Sequence, residues 1–218
     1  MKHRRMKKTL VLAAALCAAF AVAATAYTTL VASSSGSSSQ YGEFTSYSQL
    51  EQAEKKANLE INAIESFSNG YTFQQMSISH SKDKDADGNV IRKYKGIDIE
   101  YTKGDHSIFL STDPVSKNVV YADDRKPVDT AVFDGITVSY YNDTYKFVPP
   151  DYELTDEDRA NEKKDNYFIS YGSDEVEERV MSSAYWTQDG VKYSFTSISG
   201  EVPADTLFAM AQELIAAE

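Results

Sequence analysis

Apolar and polar residues alternate through much of the chain, and this two-residue period predicts strands rather than helices. The clearest case is residues 91–103, where Ile97, Ile99 and Tyr101 fall on one side and polar residues on the other. Similar patterns predict strands over residues 71–78, 107–112, 118–122, 130–133, 136–141, 144–148, 167–171, 181–187 and 191–199. Asn142-Asp143 is interpreted as a hairpin turn, and so is Asp189-Gly190.

A longer period appears at both ends of this strand series and predicts two amphipathic helices. The first covers residues 49–58, and Ser48 with Glu51 has the spacing of a capping box at its start. The second begins at Pro203, which suits a first helical turn. Its apolar stripe consists of Leu207, Met210, Ala211 and Leu214. A short polar helix capped by Thr155 is expected on the surface.

The order of these elements is a helix, a long run of strands with short connections, and a final helix. Short connections favour antiparallel pairing over parallel strand–helix–strand units. The predicted fold class is therefore α+β: a curved antiparallel sheet with an N-terminal and a C-terminal helix packed on one face.

The first 32 residues have the pattern of an export leader. Five basic residues precede an apolar run over residues 10–24, and a small, polar stretch follows. Residues 1–32 are interpreted either as a signal peptide or as a single membrane anchor that uses residues 9–32. Small residues suited to cleavage occur at Ala21-Val22-Ala23 and at Ala24-Thr25-Ala26. In both cases residues 44–218 are expected to form one extracytoplasmic domain, joined by a flexible Ser/Gly-rich linker over residues 33–43.

Charge and cysteine content exclude several classes of function. The leader holds five of the 22 basic residues, so the rest of the chain has 17 basic and 33 acidic residues, a formal charge of −16. A surface this acidic is unsuited to nucleic acid, which needs a basic surface. Cys17, the single cysteine, belongs to the apolar leader, so the domain has no disulfide and no thiolate nucleophile. No cofactor is expected.

One acidic segment is a weak candidate for calcium. Asp83, Asp85 and Asp87 alternate and are followed by Gly88, as in the first half of a calcium-binding loop. Tyr94 stands where the twelfth-position glutamate of such a loop is needed. The alternative is an exposed hairpin tip, in which Asp-Gly makes the turn.

No catalytic set is expected. The sequence Asp105-His106-Ser107 contains the residue types of a triad, but triads are assembled in space rather than from sequence neighbours. His80, the other histidine after the leader, is not clustered with it. The carboxylate pairs Asp123-Asp124 and Glu177-Glu178 are expected on the solvated surface, and Trp186 is expected in the core.

A family resemblance is carried by turns and aromatic residues. The segment Trp186-Thr-Gln-Asp-Gly-Val-Lys-Tyr-Ser-Phe195 leads into the final helix, and Asn69-Gly70-Tyr71-Thr-Phe73 and the Asp87-Gly88-Asn89 hairpin fit the same picture. Over residues 44–218 the chain resembles an extracytoplasmic domain of Gram-positive bacteria that often follows a single membrane helix in anti-sigma-factor-like proteins. The resemblance implies a sheet backed by helices, as in lipoprotein-carrier and sigma-regulator folds, and no catalytic residue. About eight residues precede the apolar run, so a cytoplasmic sigma-binding domain is not expected.

The function expected from these patterns is non-catalytic binding or sensing outside the cytoplasm, with a regulatory role at the cell envelope. The partner would be an envelope protein or an apolar small molecule, and residues 9–32 would bind the membrane if the leader is retained. The alternative is a carrier of a lipid or other apolar ligand in a half-barrel cavity. A secreted enzyme is the third hypothesis.

Overall fold

The computed structural model of the chain describes residues 29–31, 33–37, 42–121, 125–198 and 200–217. It is 50% sheet and about 16% helix, and the main sheet does not close into a barrel. The predicted α+β class is confirmed. The apolar run of the leader, Cys17 and the Asp123-Asp124 pair lie outside the described residues.

Among the described residues, nine strands form the main sheet, in the order β2-β3-β4-β5-β11-β10-β8-β7, and β9 also pairs with β8. All pairs are antiparallel except β8 with β9. The strands are β2 (Ser33–Ser37), β3 (Thr72–Lys84), β4 (Val90–Lys103), β5 (His106–Pro114), β7 (Asp129–Phe133), β8 (Ile136–Val148), β9 (Tyr167–Tyr171), β10 (Glu177–Gln188) and β11 (Val191–Ser197). A separate parallel pair consists of β1 (Thr29–Val31) and β6 (Val119–Tyr121).

In the part of the chain that the structure describes, three helices accompany the sheet: α1 (Leu50–Ala57), α2 (Asp156–Asn161) and α3 (Ala204–Ile215). A 3₁₀ turn, Tyr47–Gln49, leads into α1. The capping box lies two residues before the predicted one and is formed by Ser46 and Gln49. The Gln49 side chain accepts hydrogen bonds from the backbone amides of Thr45 and Ser46. Helix α2 begins at Thr155 as expected, and this residue makes a capping box with Asp158.

Helices α1 and α3 pack on one face of the sheet and share a single hydrophobic core with it. The predicted stripe of α3 is buried, and Trp186 is 3% exposed and stacks on Tyr193 with ring centroids 5.1 Å apart. Tyrosine hydroxyls tie the loop after α1 to this core. Tyr101 donates to the Ile64 carbonyl at 2.9 Å, and Tyr193 accepts from the Asn62 amide at 2.9 Å. Buried side chains from the two helices and the sheet therefore lie in one cluster between them.

Strand β8 differs from the sequence prediction. Asn142-Asp143 is not a turn but lies in the middle of one continuous strand. Strand β10 pairs with β8 without interruption from Tyr185↔Ser139 to Glu177↔Phe147. The predicted hairpin is wrong because this long partner supplies backbone hydrogen bonds on both sides of the dipeptide, which outweighs its local turn preference.

The segment expected to be a linker also differs in part. Ser33–Ser37 is an edge strand that pairs with residues 80–84 of β3, because a long exposed strand edge can recruit even a Ser/Gly segment through its backbone. Thr29–Val31, at the end of the predicted leader, pairs with β6. Within the described ranges, no helix is both long and apolar enough to cross a bilayer.

Candidate functional site

Several ionisable side chains lie on the face of the sheet away from α1 and α3, which is called the polar face below. In β4, Ile97, Ile99 and Tyr101 are buried on the helix side, so alternation puts Asp98 on the polar face. The strand register aligns Asp113 of β5 with Lys192 of β11 and Lys192 with Thr187 of β10. These three side chains form one row across neighbouring strands.

The described parts of the connection between β5 and β7, residues 115–121 and 125–128, lie over this face and are called the strap below. Strand β5 is separated from β7 by three other strands, so the strap spans the sheet between them. Arg125 holds it there by donating to Asp143 at 2.7 Å and by stacking on Tyr141, with 4.7 Å from the guanidinium carbon to the ring centroid.

A cavity of about 290 Å³ lies between the strap and the polar face. Its floor contains the Asp113, Lys192 and Thr187 row, and Tyr94 of β4 lies beside it. The remaining lining residues are Ser34, Pro114, Val115, Ser116 and Val119. We call this the polar-face cavity. Its volume lies near the lower end of the range for small-molecule sites.

Among the groups that line this cavity, Asp113 has the most strongly shifted pKa. Burial, together with the negative charge of Asp98, raises the pKa of Asp113 to about 6, although Lys192 and Arg92 partly offset the effect. No described residue donates a hydrogen bond to its carboxylate. Asp113 therefore changes its charge close to neutral pH.

Gly96 makes room for this carboxylate. A Cβ built at Gly96 would lie 2.8 Å from Asp113 Oδ1 and 2.7 Å from Ser79 Oγ, and still closer to the Thr112 carbonyl oxygen. A glycine inside a strand often marks such a close approach. This was the one sequence signal that could have located the cavity, since nothing else distinguishes Asp113 from the other strand carboxylates.

Asp83 occupies the wall next to the cavity. Its carboxylate is fully buried, accepts from Ser34 Oγ at 2.8 Å and from the Tyr94 hydroxyl at 3.4 Å, and lies 3.6 Å from Arg92. The Arg92 guanidinium also covers the Tyr94 ring at 4.1 Å and donates to the Pro114 carbonyl. A buried carboxylate needs such partners, and these ones join β2, β3, β4 and β5.

The three aspartates proposed for calcium are not brought together. Asp83 faces Arg92, as described, whereas Asp85 accepts from the backbone of Asp87 and Asn89 and from the Asn89 side chain at the hairpin tip. In the described part of the chain, no cluster of three or more His, Cys, Asp or Glu residues is arranged for a metal ion.

The remaining residues singled out from the sequence lie elsewhere. His80 and His106 are exposed, and Ser107 next to His106 donates to Glu100 at 2.8 Å. Glu177 pairs with Arg179, and Glu178 accepts from the Tyr167 hydroxyl. None of these groups lines the polar-face cavity.

A row of stacked cations and rings supports the strap. Arg125 and Arg179 lie at the two ends of a stack whose inner ring pairs, Tyr145–Phe168 and Tyr145–Phe147, have centroid distances of 5.1 and 6.2 Å. On its other side Arg125 contacts Tyr141, which packs edge-on against Tyr185, and Lys192 lies over Tyr185 at 5.4 Å. These contacts position Lys192 at the cavity floor and the strap above it.

A larger hollow of about 560 Å³ lies beside α1 and the β10–β11 turn, but it is open to solvent. Three of its charged groups already have partners within the fold: Lys55 pairs with Glu51, and Glu54 accepts from the Ile61 amide at 2.9 Å. The polar-face cavity is the better candidate because it is more enclosed and contains a carboxylate with a shifted pKa.

Comparison of the chain with protein-family models, with curated proteins and with solved structures finds no match. The resemblance to extracytoplasmic anti-sigma-like domains stays a prediction.

Proposed function

We propose that the chain is a non-catalytic binding domain that acts outside the cytoplasm and senses a small polar molecule in the polar-face cavity. The observation that carries the proposal is the cavity that Asp113, Tyr94 and the exposed Lys192 line together with the strap. The leader pattern of residues 1–32 supports the extracytoplasmic location.

The position of the cavity supports sensing rather than transport of an apolar ligand. The strap forms part of the lining, so a bound molecule would contact both the sheet and the strap and favour their association. An apolar carrier needs a hollow between helices and sheet, whereas buried side chains of α1, α3 and the sheet form one cluster there. The proposed ligand is accordingly small and polar.

The experiment is a thermal-shift screen of the full chain, purified from an expressing bacterium after cell fractionation, against amines, amino acids, sugars and carboxylic acids. Thr187→Trp places a large side chain in the cavity, and Thr72→Trp changes an exposed strand threonine away from it. We expect at least one class of compound to raise the Tm of the wild type and of Thr72→Trp but not of Thr187→Trp.

Two results would contradict the proposal. A compound that stabilises Thr187→Trp as well as the wild type binds elsewhere. Absence of any stabilising compound, or recovery of the chain in the cytoplasmic fraction, also counts against it.

A further inference from the structure

We infer that the outer side of the β1–β6 pair docks on the lipid bilayer to which the leader anchors the chain. This inference rests on the extracytoplasmic location in the proposed function, and it is independent of the ligand of the polar-face cavity.

The first argument is the side of the β1–β6 pair that faces solvent. The parallel register places Leu30 beside Val120, and these side chains are 56% and 49% exposed. Val31, the next residue of β1, is buried, and Val119 lines the polar-face cavity. Because side chains alternate along a strand, Leu30 and Val120 point away from the cavity and make the outer side of the pair apolar.

The second argument is the distribution of exposed apolar residues. In the described ranges nine large apolar side chains are exposed, and four of them belong to β1 or the strap: Leu30, Val115, Val120 and Val128. Single exposed apolar residues are ordinary on a protein surface. Their concentration in two short segments indicates a surface that meets an apolar partner.

The third argument is charge. Residues 115–128 contain three basic and two acidic residues, whereas the chain after the leader has 17 basic and 33 acidic residues. Lys117 is exposed and precedes β6 by two positions. A lysine beside an apolar surface can extend its ammonium group to lipid phosphates while its stem stays against that surface. A lipid surface is therefore better tolerated here than by the acidic remainder of the domain.

The fourth argument identifies a bilayer as the partner. The apolar run, residues 10–24, has 15 residues, but a membrane span needs about 20, so a retained anchor would extend to about residue 28. Strand β1 begins at Thr29, directly after such a span. Leu30 would then lie within about 7 Å of the end of the span, which is close to the depth of the headgroup layer. The tether thus brings the apolar outer side of the pair to the membrane surface.

The test uses the full chain with its leader retained, inserted into phosphatidylcholine vesicles, and Cys17→Ala removes the native thiol. An environment-sensitive fluorophore is attached to Val120→Cys or to the control Gln52→Cys, an exposed residue of α1 on the other face of the sheet. We expect a spin-labelled lipid to quench the fluorophore at position 120 and not the one at position 52. Equal quenching at the two positions would overturn the inference, because no side of the domain would then be preferred.

A second comparison separates docking by apolar side chains from the effect of the tether alone. Leu30→Glu places a carboxylate on the outer side of the pair, and Val176→Glu makes a matched change at a 51% exposed valine directly before β10. Leu30→Glu should lower the ratio of docked to undocked domain by about tenfold and so reduce quenching at position 120, whereas Val176→Glu should not. Quenching that Leu30→Glu leaves unchanged would overturn the inference.

Fractionation of an expressing bacterium tests the anchor itself. We expect the chain in the membrane fraction with residues 1–28 still attached, as measured by intact mass. Recovery from the culture medium without these residues would overturn this inference, yet would leave the proposed function of the cavity standing. Recovery in the cytoplasmic fraction would count against both proposals.

Discussion

Replacement of Asp113 by asparagine should make the protein more stable at neutral pH, although it alters the proposed site. The folded state raises the pKa of Asp113 from 3.8 to about 6, since burial and Asp98 disfavour its charged form. The folded protein therefore binds a proton more tightly than the unfolded chain does. Stability from this group is fully present below pH 3.8 and is lost as the pH rises through about 6.

The size of the effect follows from the shift. Each pKa unit corresponds to about 1.4 kcal/mol, so ionised Asp113 lowers the free energy of unfolding by at most about 3 kcal/mol above pH 7. Between pH 4.5 and 7.5 the same two pKa values imply a change of about 2 kcal/mol. Domains of this kind are stable by about 5–15 kcal/mol in total, so such a change is measurable.

The assay is urea unfolding of the wild type, Asp113→Asn and the control Asp105→Asn, which changes an exposed aspartate at the β4–β5 turn, at intervals between pH 4.5 and 7.5. Other carboxylates titrate in all three proteins, so the difference between Asp113→Asn and the wild type isolates position 113. We expect this difference to grow by about 2 kcal/mol as the pH rises, while Asp105→Asn follows the wild type. Parallel curves for the wild type and Asp113→Asn would refute the reasoning, because Asp113 would then titrate alike in the folded and unfolded chains.

Two further predictions concern the strands below the cavity and the strap above it. Gly96→Ala should lower the free energy of unfolding by about 1–3 kcal/mol, because the added Cβ would clash with the Thr112 backbone. Gly36→Ala is the control, since within 3 Å its Cβ would meet only the rotatable Ser81 hydroxyl, and equal losses for the two variants in urea unfolding would contradict the prediction. The Val128 amide in the strap donates to the Tyr140 carbonyl at 2.8 Å, and Arg125→Ala should speed its hydrogen exchange by about tenfold or more. The control Lys126→Ala, at an exposed residue of the strap, should leave this exchange rate unchanged. An unchanged rate in Arg125→Ala would show that Arg125 does not hold the strap.

The sequence by itself determined the features that depend on near neighbours. The alternation around Ile97 and Ile99 located β4, and the turn at Asp189-Gly190 separated β10 from β11. The apolar stripe of α3 identified both the helix and the side it buries. Such features follow from residue periodicity and from turn chemistry, which act over a few positions.

Only the tertiary structure decided which distant segments meet. Pairing with β10 keeps β8 straight through Asn142-Asp143, and pairing with β3 turns Ser33–Ser37 into a strand. The cavity has the same origin, since Asp113, Lys192 and Tyr94 come from three strands and line it together with a strap anchored at Arg125. The burial and the neighbouring charge that raise the pKa of Asp113 exist only after these strands align, so its local sequence carries no sign of them.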